Sequence, residues 1–170
     1  MLRLDLARLA REGSIQVEAV IPADDPLWDG LEVALDAPVA VRLTAATSGT
    51  GEIVVRGHME ATYRIDCRRC LEPVPGKVSE ELTMVFVPSD SEGAEDDGDV
   101  RVVDAVASEL DLSDPVREEL VLAMDLFVVC DPDCPGLCPQ CGVNLKTETC
   151  ACTTAESDPR WDALRALKEE

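Results

Sequence analysis

The chain has 170 residues, enough for one ordinary hydrophobic core, and its 46% hydrophobic and 29% charged residues exclude a disordered tail. Only five residues are aromatic, so the core must be built mainly from aliphatic side chains. The formal net charge of −20 disfavours broad, nonspecific binding of the chain as a whole to nucleic acid by counterion release.

The N-terminal residues predict no targeting segment, because they alternate charged with apolar side chains and never form the apolar run of a secretory signal. No stretch approaches the roughly 18 apolar residues of a membrane span. A cytoplasmic protein with reduced thiols and no membrane partner is therefore expected.

Period-two alternation of apolar side chains predicts three consecutive strands. They cover residues 39–45, 52–65 and 78–87. Turn-forming residues at 47–51 and 67–76 join them, which indicates an antiparallel meander. The middle strand is expected to bend at Gly57, and the best candidate for a further strand is Ile15 to Ile21.

Two segments follow the strands. Residues 89–99 contain six acidic side chains and no large apolar one, which predicts a mobile loop. An amphipathic helix is expected next, with Ser113 as N-cap and Pro115 in its first turn. Its apolar stripe would comprise Val116, Leu120, Ala123 and Phe127. With this helix covering the sheet, residues 1–129 form an α+β core domain.

The chain is expected to end in a short helix. Asp158 and Pro159 are a typical N-cap and first helical residue. Trp161, Leu164 and Leu167 follow at helical spacing, so Trp161 is interpreted as an anchor on the core and not as a stacking platform.

Eight cysteines form four short pairs, and six of these cysteines lie within residues 130–152. The pairs are Cys67 with Cys70, Cys130 with Cys134, Cys138 with Cys141, and Cys150 with Cys152. Thiolates separated by one to three residues can reach one tetrahedral ion, and in a reducing compartment such pairs are typical of metal sites. Residues 130–170 are therefore predicted to form a Cys-rich zinc-binding segment, with one or two structural zinc ions in the protein.

The grouping of the pairs stays open at this stage. The preferred site joins Cys138 and Cys141 to Cys150 and Cys152, because this closes the shortest loop. The remaining pairs, Cys67/Cys70 and Cys130/Cys134, would then form a second site. Alternatively, the two CxxC turns face each other as knuckles of a zinc ribbon, or only one ion is bound. A closed four-sulfur site leaves no position for substrate, so any zinc is expected to be structural.

A zinc- or thiol-based redox module for protein interaction is the alternative function. Arg68 and Arg69 would lower the pKa of the CRRC thiols, but the pair lies between strands and lacks the helix dipole that activates redox dithiols. His58, the only histidine, is expected on the polar face of a strand. The sequence shows no nucleophile–base pair and no phosphate-binding loop. We therefore predict that the chain is not an enzyme and binds no small-molecule substrate.

The charge is distributed unevenly along the chain. Residues 80–133, here called the acidic segment, carry 17 acidic and two basic side chains, a balance of −15. Residues 62–77 carry four basic and two acidic side chains, a balance of +2. The four basic residues, here called the basic tip, are Arg64, Arg68, Arg69 and Lys77.

Four motifs in a fixed order identify a family resemblance. They are CRRCLEP beginning at Cys67, DLSDPVREELVLAM before a cysteine, CPGLCPQCGVNL followed by CAC, and DPRWDALRAL near the end. From about Gly51 to Leu167 this arrangement resembles the YceD family, bacterial proteins named for large-subunit ribosomal RNA accumulation. The family's most widely shared motif, CxRC, falls on Cys67, Arg69 and Cys70, whereas the later cysteine motifs are absent from some members.

The resemblance implies a non-enzymatic cytoplasmic factor that supports 23S rRNA accumulation and large-subunit assembly. The acidic segment is expected to hold a basic large-subunit ribosomal protein, alone or in a pre-ribosomal particle. The basic tip would contact rRNA phosphates through Arg64, Arg68, Arg69 and Lys77. These arginines can equally pair with the protein's own carboxylates. The oligomeric state is left open.

Overall fold

The computed structural model describes residues 2–49, 51–91 and 100–152. These ranges form an α+β fold with eight strands and two α-helices. In chain order the elements are β1 (Arg3–Asp5), α1 (Leu6–Glu12), β2 (Ser14–Ile21), a 3-10 turn (Pro26–Trp28), β3 (Ala34–Leu35), β4 (Val39–Thr47), β5 (Ile53–Asp66), β6 (Pro73–Pro88), β7 (Val100–Val103), β8 (Glu109–Asp111) and α2 (Ser113–Ala123).

The main sheet has the strand order β2-β4-β5-β6-β7, and β3 pairs with β5 outside this path. All its pairs are antiparallel except β6 with β7. The meander predicted from the sequence is therefore confirmed as β4, β5 and β6, and the strand expected at Ile15 to Ile21 is β2. A separate two-stranded sheet joins β1 to β8.

The longest hairpin of the sheet carries the CRRC motif. β5 and β6 pair along their full length, from Ile53 opposite Phe86 to Asp66 opposite Pro73. Gly57 in β5 has a packing reason, because a Cβ there would lie 1.9 Å from the carbonyl oxygen of Arg42 on β4. The unbroken pairing places residues 67–72 at the far end of the hairpin.

One hydrophobic core unites both sheets and both helices. Its sheet side consists of alternate residues of β4, β5 and β6, as period-two patterning requires. Leu9 of α1 and Val116 and Leu120 of α2 are fully buried in the same core. Within the described residues, no helix is long and apolar enough to cross a membrane.

The helix prediction was wrong at both ends. Ser113 is the first helical residue and makes no cap bond through its side chain; instead Asp111 accepts a hydrogen bond from the Ser113 N–H at 2.9 Å. The helix ends at Ala123, and Met124 has an extended backbone. Phe127 is consequently not part of a buried stripe but is 69% exposed.

Several elements were not anticipated from the sequence, namely α1, β1, β3, β7 and β8. They are short and need tertiary partners to form. Most of the predicted acidic loop, residues 92–99, and the predicted C-terminal helix lie outside the described residues.

Candidate metal centres

The first cysteine cluster joins the β5–β6 turn to the segment that follows α2. It consists of Cys67, Cys70, Cys130 and Cys134, whose sulfur atoms all lie within 4.8 Å of one another. Three of the four residues are buried and Cys130 is half-buried. The cluster therefore links two parts of the chain about sixty residues apart in sequence.

The second cysteine cluster is local in sequence. Cys138, Cys141, Cys150 and Cys152 lie within the same 4.8 Å limit. Here Cys138 is buried, Cys150 is half-buried, and Cys141 and Cys152 are exposed. The structure thus brings the four pairs together in the preferred grouping, and the two CxxC turns do not share a cluster.

The sulfur spacing suits a single tetrahedral ion in each cluster. A zinc–sulfur bond of about 2.3 Å implies a sulfur–sulfur distance of about 3.8 Å. The observed distances are 4.0 Å for Cys67–Cys134, 3.6 Å for Cys70–Cys130, 3.5 Å for Cys141–Cys150 and 3.3 Å for Cys138–Cys150. All eight cysteines are free thiols. The donor set therefore fits zinc, while the binding of metal by these residues stays a prediction.

Both CxxC turns have the same backbone geometry. In the first, the N–H of Leu71 donates to the carbonyl of Cys67 at 2.9 Å, and Leu71 adopts a left-handed φ of 60°. In the second, the N–H of Gly142 donates to the carbonyl of Cys138 at 2.9 Å, with a φ of 74°. A non-glycine residue in this conformation is uncommon, so the first turn keeps its shape despite a local cost at Leu71.

Backbone N–H groups point at one sulfur in each cluster. In the first, the N–H groups of Cys70 and Cys130 lower the pKa of the Cys67 thiol to about 6, and the Cys130 N–H lies 3.3 Å from its sulfur. In the second, the N–H groups of Cys141 and Gln140 lower the pKa of Cys138 to about 6. Amides turned toward sulfur are typical of thiolates that bind metal.

One further thiol in each cluster has a strongly raised pKa. Burial, together with the neighbouring Cys134 thiol, raises the pKa of Cys130 to about 12. The Cys150 and Cys141 thiols raise the pKa of Cys152 to about 12. Four thiolates at this spacing need a cation to offset their mutual repulsion, and metal binding displaces the protons.

Arg69 makes three hydrogen bonds to the cysteine-rich segment. Its guanidinium donates hydrogen bonds of 3.0 Å to the carbonyls of Pro132 and Cys134. These bonds link the two chain segments that supply the first cluster. The carbonyl of Arg69 accepts from the N–H of Leu137 at 2.9 Å. A Cβ at Gly136, where φ is 77°, would lie 2.9 Å from the same carbonyl oxygen. Only glycine lets the chain pass this close before it enters the second cluster.

A second set of contacts joins the loop of the second cluster to the turn of the first cluster. Glu72, two residues after Cys70, forms an ion pair with Lys146 at 2.6 Å and accepts a hydrogen bond from Asn144 at 3.2 Å. Lys146 also lies 3.7 Å from the sulfur of Cys130. The segment between Cys141 and Cys150 therefore folds back onto the turn of the first cluster. No motif pointed to Glu72 or Lys146, because their contact spans 74 residues.

The members of the basic tip have different surroundings. Arg64 forms an ion pair with Asp36 at 2.6 Å, and Arg69 is engaged as described above. The Arg68 guanidinium lies 3.7 Å from the centre of the Phe127 ring, a cation–π contact at the surface. Lys77 is exposed on β6 opposite Thr62. That these residues bind RNA stays a prediction.

His58 lies on the outer face of the sheet, as predicted, with a partner that the sequence did not indicate. Its Nε2 is 3.3 Å from the Ser79 hydroxyl, but its Nδ1 makes no hydrogen bond, and Glu81 lies 3.5 Å away. A catalytic base of a serine triad needs a third group bonded to it for orientation. We therefore assign no reaction to this pair.

Comparison with known proteins identifies the family. Residues 55–168 match the family described as "Large ribosomal RNA subunit accumulation protein YceD". The match covers more than half of the chain and includes all eight cysteines. The chain belongs to the YceD family, which is named for the accumulation of an RNA and not for a reaction.

Relatives occur in bacteria and in plants. A protein of Mycobacterium tuberculosis is 37% identical over 168 residues, which are 96% of this chain and 79% of the relative. The maize "Large ribosomal RNA subunit accumulation protein YCED homolog 1, chloroplastic" is 31% identical over 143 residues, 68% of this chain and 48% of the relative. No solved structure matches the chain.

Proposed function

We propose that this protein is a non-enzymatic ribosome biogenesis factor that supports 23S rRNA accumulation and large-subunit assembly by holding a basic large-subunit ribosomal protein. Membership of the YceD family is the observation that carries the biological role. For a protein with this role we expect a cytoplasmic location, where large subunits are assembled.

The distribution of carboxylates supports a basic partner. Twelve acidic residues of the acidic segment lie within the described residues, and all but Glu119 are exposed. Arg3, His58 and Arg101 pair with five of them. The other seven have no ion pair within the described residues. Carboxylates left without cations raise the association rate with a basic protein.

We further propose two structural zinc ions, one in each cysteine cluster. The fit of both thiol sets to a tetrahedral ion supports this assignment, because closed four-sulfur sites are typical of structural zinc. Bound zinc would supply no chemistry beyond cross-linking the chain. It would hold the Arg69 turn, residues 130–134 and the 138–152 loop in one arrangement.

We propose contact with rRNA for only two of the four residues of the basic tip. The side chains of Arg64 and Arg69 already have protein partners, whereas those of Arg68 and Lys77 have no carboxylate or carbonyl partner among the described residues. If they touch rRNA in cells, then Arg68→Glu with Lys77→Glu lowers crosslinking to RNA. Unchanged crosslinking would restrict the contact to protein.

Depletion of the protein in its own cells tests the biological role. We expect a lower ratio of 23S to 16S rRNA and cosedimentation of the wild-type protein with precursors of the large subunit. Normal rRNA ratios, with the protein only in the light gradient fractions, would contradict the proposed function.

The exposure of the second cluster favours a second candidate, a zinc- or thiol-dependent redox module. Cys141 and Cys152 are accessible to oxidants, and the sulfurs of Cys138 and Cys150 are 3.3 Å apart. Peroxide treatment of the zinc-loaded protein, followed by native mass spectrometry and thiol reduction, tests it. Reversible loss of one zinc together with a change in partner binding would support it. Unchanged partner binding would leave the second cluster a scaffold.

A further inference from the structure

Exposed apolar side chains are concentrated where α2 ends and the cysteine-rich segment begins. Within nine residues lie Leu122, 79% exposed, Phe127, 69% exposed, and Val121 and Val129, both 37% exposed. We call these four residues the apolar strip. Isolated exposed apolar residues are normal on a protein surface, but a concentration of this kind marks an interaction site.

Carboxylates surround the apolar strip. Glu118 lies one helical turn before Val121 and Leu122, so it shares their face of α2, where it is paired with Arg101 at 2.6 Å. Asp125 lies between Leu122 and Phe127, and its carboxylate accepts a hydrogen bond from the Phe127 N–H at 2.9 Å. From residue 118 to residue 133 the chain carries five acidic residues and no basic residue.

Two adjoining depressions run alongside the apolar strip and share Glu32 and Leu126. One, of about 230 Å³, lies between α2 and residues 30–33, with Val121 and Met124 in its wall. The other, of about 740 Å³, extends to Phe127 and Arg68 at the β5–β6 turn. Together they form a partly apolar groove.

The charges that line this groove balance once Asp36, the partner of Arg64, is counted. The excess negative charge of this surface comes from Asp125, Asp131 and Asp133, three exposed residues that have no ion pair in the described part of the chain. Of the three arginines that line it, Arg64 is paired with Asp36, and Arg117 donates to the carbonyls of Leu27 and Asp29. Arg68 is the one lining arginine whose side chain has no oxygen partner among the described residues. Glu32 and Asp66, which also line the groove, have no ion pair within the described residues.

We propose that the apolar strip and its groove are the docking site for a basic, amphipathic segment of a partner protein. Apolar side chains of that segment occupy the groove and cover Leu122 and Phe127, while its lysines and arginines meet Glu32, Asp66 and Asp125. This inference rests on the proposed function, since it names the surface that receives the basic protein.

Charge selects this occupant over two others. A second copy of the chain would bring the same carboxylates together across a symmetric interface, which is unfavourable. RNA phosphates would be repelled by the carboxylates beside the apolar strip, so contact with rRNA through Arg68 and Lys77 is restricted to the β5–β6 hairpin. A basic amphipathic segment satisfies both the apolar and the anionic parts of the surface.

Site-specific photocrosslinking in living cells tests the location of the site. A photoreactive phenylalanine analogue replaces Leu122 in the full-length protein, and a control protein carries it at Val20, which is 71% exposed and lies outside the acidic segment. We expect crosslinks from position 122, but not from position 20, to a protein rich in lysine and arginine. Crosslinks from position 122 to a second copy, to RNA alone or to nothing would overturn the proposal.

Binding measurements with the purified partner that crosslinking identifies test the apolar and the charged components of the site separately. Phe127→Ser removes the largest apolar contact, and Asp125→Asn removes a charge while retaining an oxygen for the Phe127 N–H. Val20→Ser and Glu18→Gln are the matched controls, because Val20 is 71% exposed, Glu18 is an exposed carboxylate, and both lie outside the acidic segment. We expect each strip variant to weaken binding roughly tenfold and each control variant to leave it unchanged.

Equal effects of strip and control variants would contradict the docking site. They would leave the biological role intact if depletion of the protein still lowered 23S rRNA. Conversely, normal rRNA after depletion would contradict the proposed function even if position 122 crosslinked to a basic protein. The two experiments therefore fail independently.

Discussion

At the scale of single residues, the two adjacent arginines of CRRC have different surroundings. Arg69 bonds to three backbone groups of the cysteine-rich segment, two through its side chain and one through its carbonyl. Arg68 covers the exposed Phe127 ring. Arg69 is also the arginine of the CxRC motif by which the chain resembles its family, and its contacts supply a structural reason for an arginine there.

We expect Arg69→Gln to destabilise the protein by about 1–2 kcal/mol, because glutamine cannot reach both carbonyls with a charged donor. Arg68→Gln is the matched control and should change the free energy of unfolding by less than about 0.5 kcal/mol. Urea denaturation of the zinc-loaded proteins measures both. Equal effects would show that the bonds to Pro132 and Cys134 contribute little.

Gly136 and Gly142 have nearly the same left-handed backbone but different surroundings. Alanine at either position should cost about 1–2 kcal/mol through φ alone. Gly136→Ala should cost roughly 1–3 kcal/mol more, because its Cβ meets the Arg69 carbonyl, whereas nothing lies within 4 Å of a Cβ at Gly142. Thermal unfolding of both variants provides the comparison. If Gly142→Ala were the more damaging change, the approach to Arg69 would not limit the fold.

At the scale of elements, the β5–β6 hairpin positions the first cluster. Its register leaves Cys67 and Cys70 at the end of the longest strands, and Tyr63 on β5 fastens the chain after α2. The Tyr63 hydroxyl accepts from the Asp125 N–H at 3.0 Å and donates to the Asp125 carbonyl at 3.3 Å. These bonds hold residues 128–134 close to the hairpin turn. There the backbone N–H of Arg68 donates a hydrogen bond to the Val128 carbonyl at 3.0 Å.

The two clusters should respond differently to loss of one ligand. We expect about two zinc ions per chain in the wild type and about one in Cys150→Ser, with little change in the urea midpoint. Cys130→Ser should also lose one zinc but lower the urea midpoint clearly, because the first cluster joins distant parts of the chain. Plasma mass spectrometry and denaturation measure these outcomes. A wild-type protein without zinc would contradict both sites.

At the scale of the whole molecule, charge opposes compaction. The chain carries 35 acidic and 15 basic residues, and seven described carboxylates of the acidic segment lack an ion pair. Repulsion among unpaired carboxylates destabilises the folded state until counterions screen it or a basic partner covers it. The same excess charge opposes association between copies of the chain.

We therefore expect salt to stabilise the zinc-loaded protein. Raising the ionic strength from 0.01 M to 0.1 M shortens the screening length from about 30 Å to about 10 Å. The Tm should rise by about 2–4 °C, which corresponds to about 1 kcal/mol for a chain of this size. Scanning calorimetry in sodium chloride and in potassium chloride should give the same shift, since screening does not depend on the cation. A lower Tm at higher salt would mean that ion pairs such as Arg101–Glu118 outweigh the repulsion.

Much of the fold could be predicted because the signals are local. Alternation along β4, β5 and β6 depends on successive residues of one strand, and the short turns between these strands leave antiparallel pairing as the simplest arrangement. The helix end could not be predicted in this way. Phe127 continues the helical spacing of Leu120 and Ala123, but the bonds from Tyr63 to Asp125 hold the chain in another direction.

The sequence by itself determined the α+β class, the central meander, the family and the short spacing within each cysteine pair, since all of these depend on residue order over short distances. Only the tertiary structure decided which pairs share a cluster, which arginines are engaged and which apolar residues stay exposed. Contacts such as Glu72–Lys146 and Arg69–Cys134 join residues more than sixty positions apart. Such contacts depend on how the hairpin and the segment after α2 pack together, which no local pattern encodes.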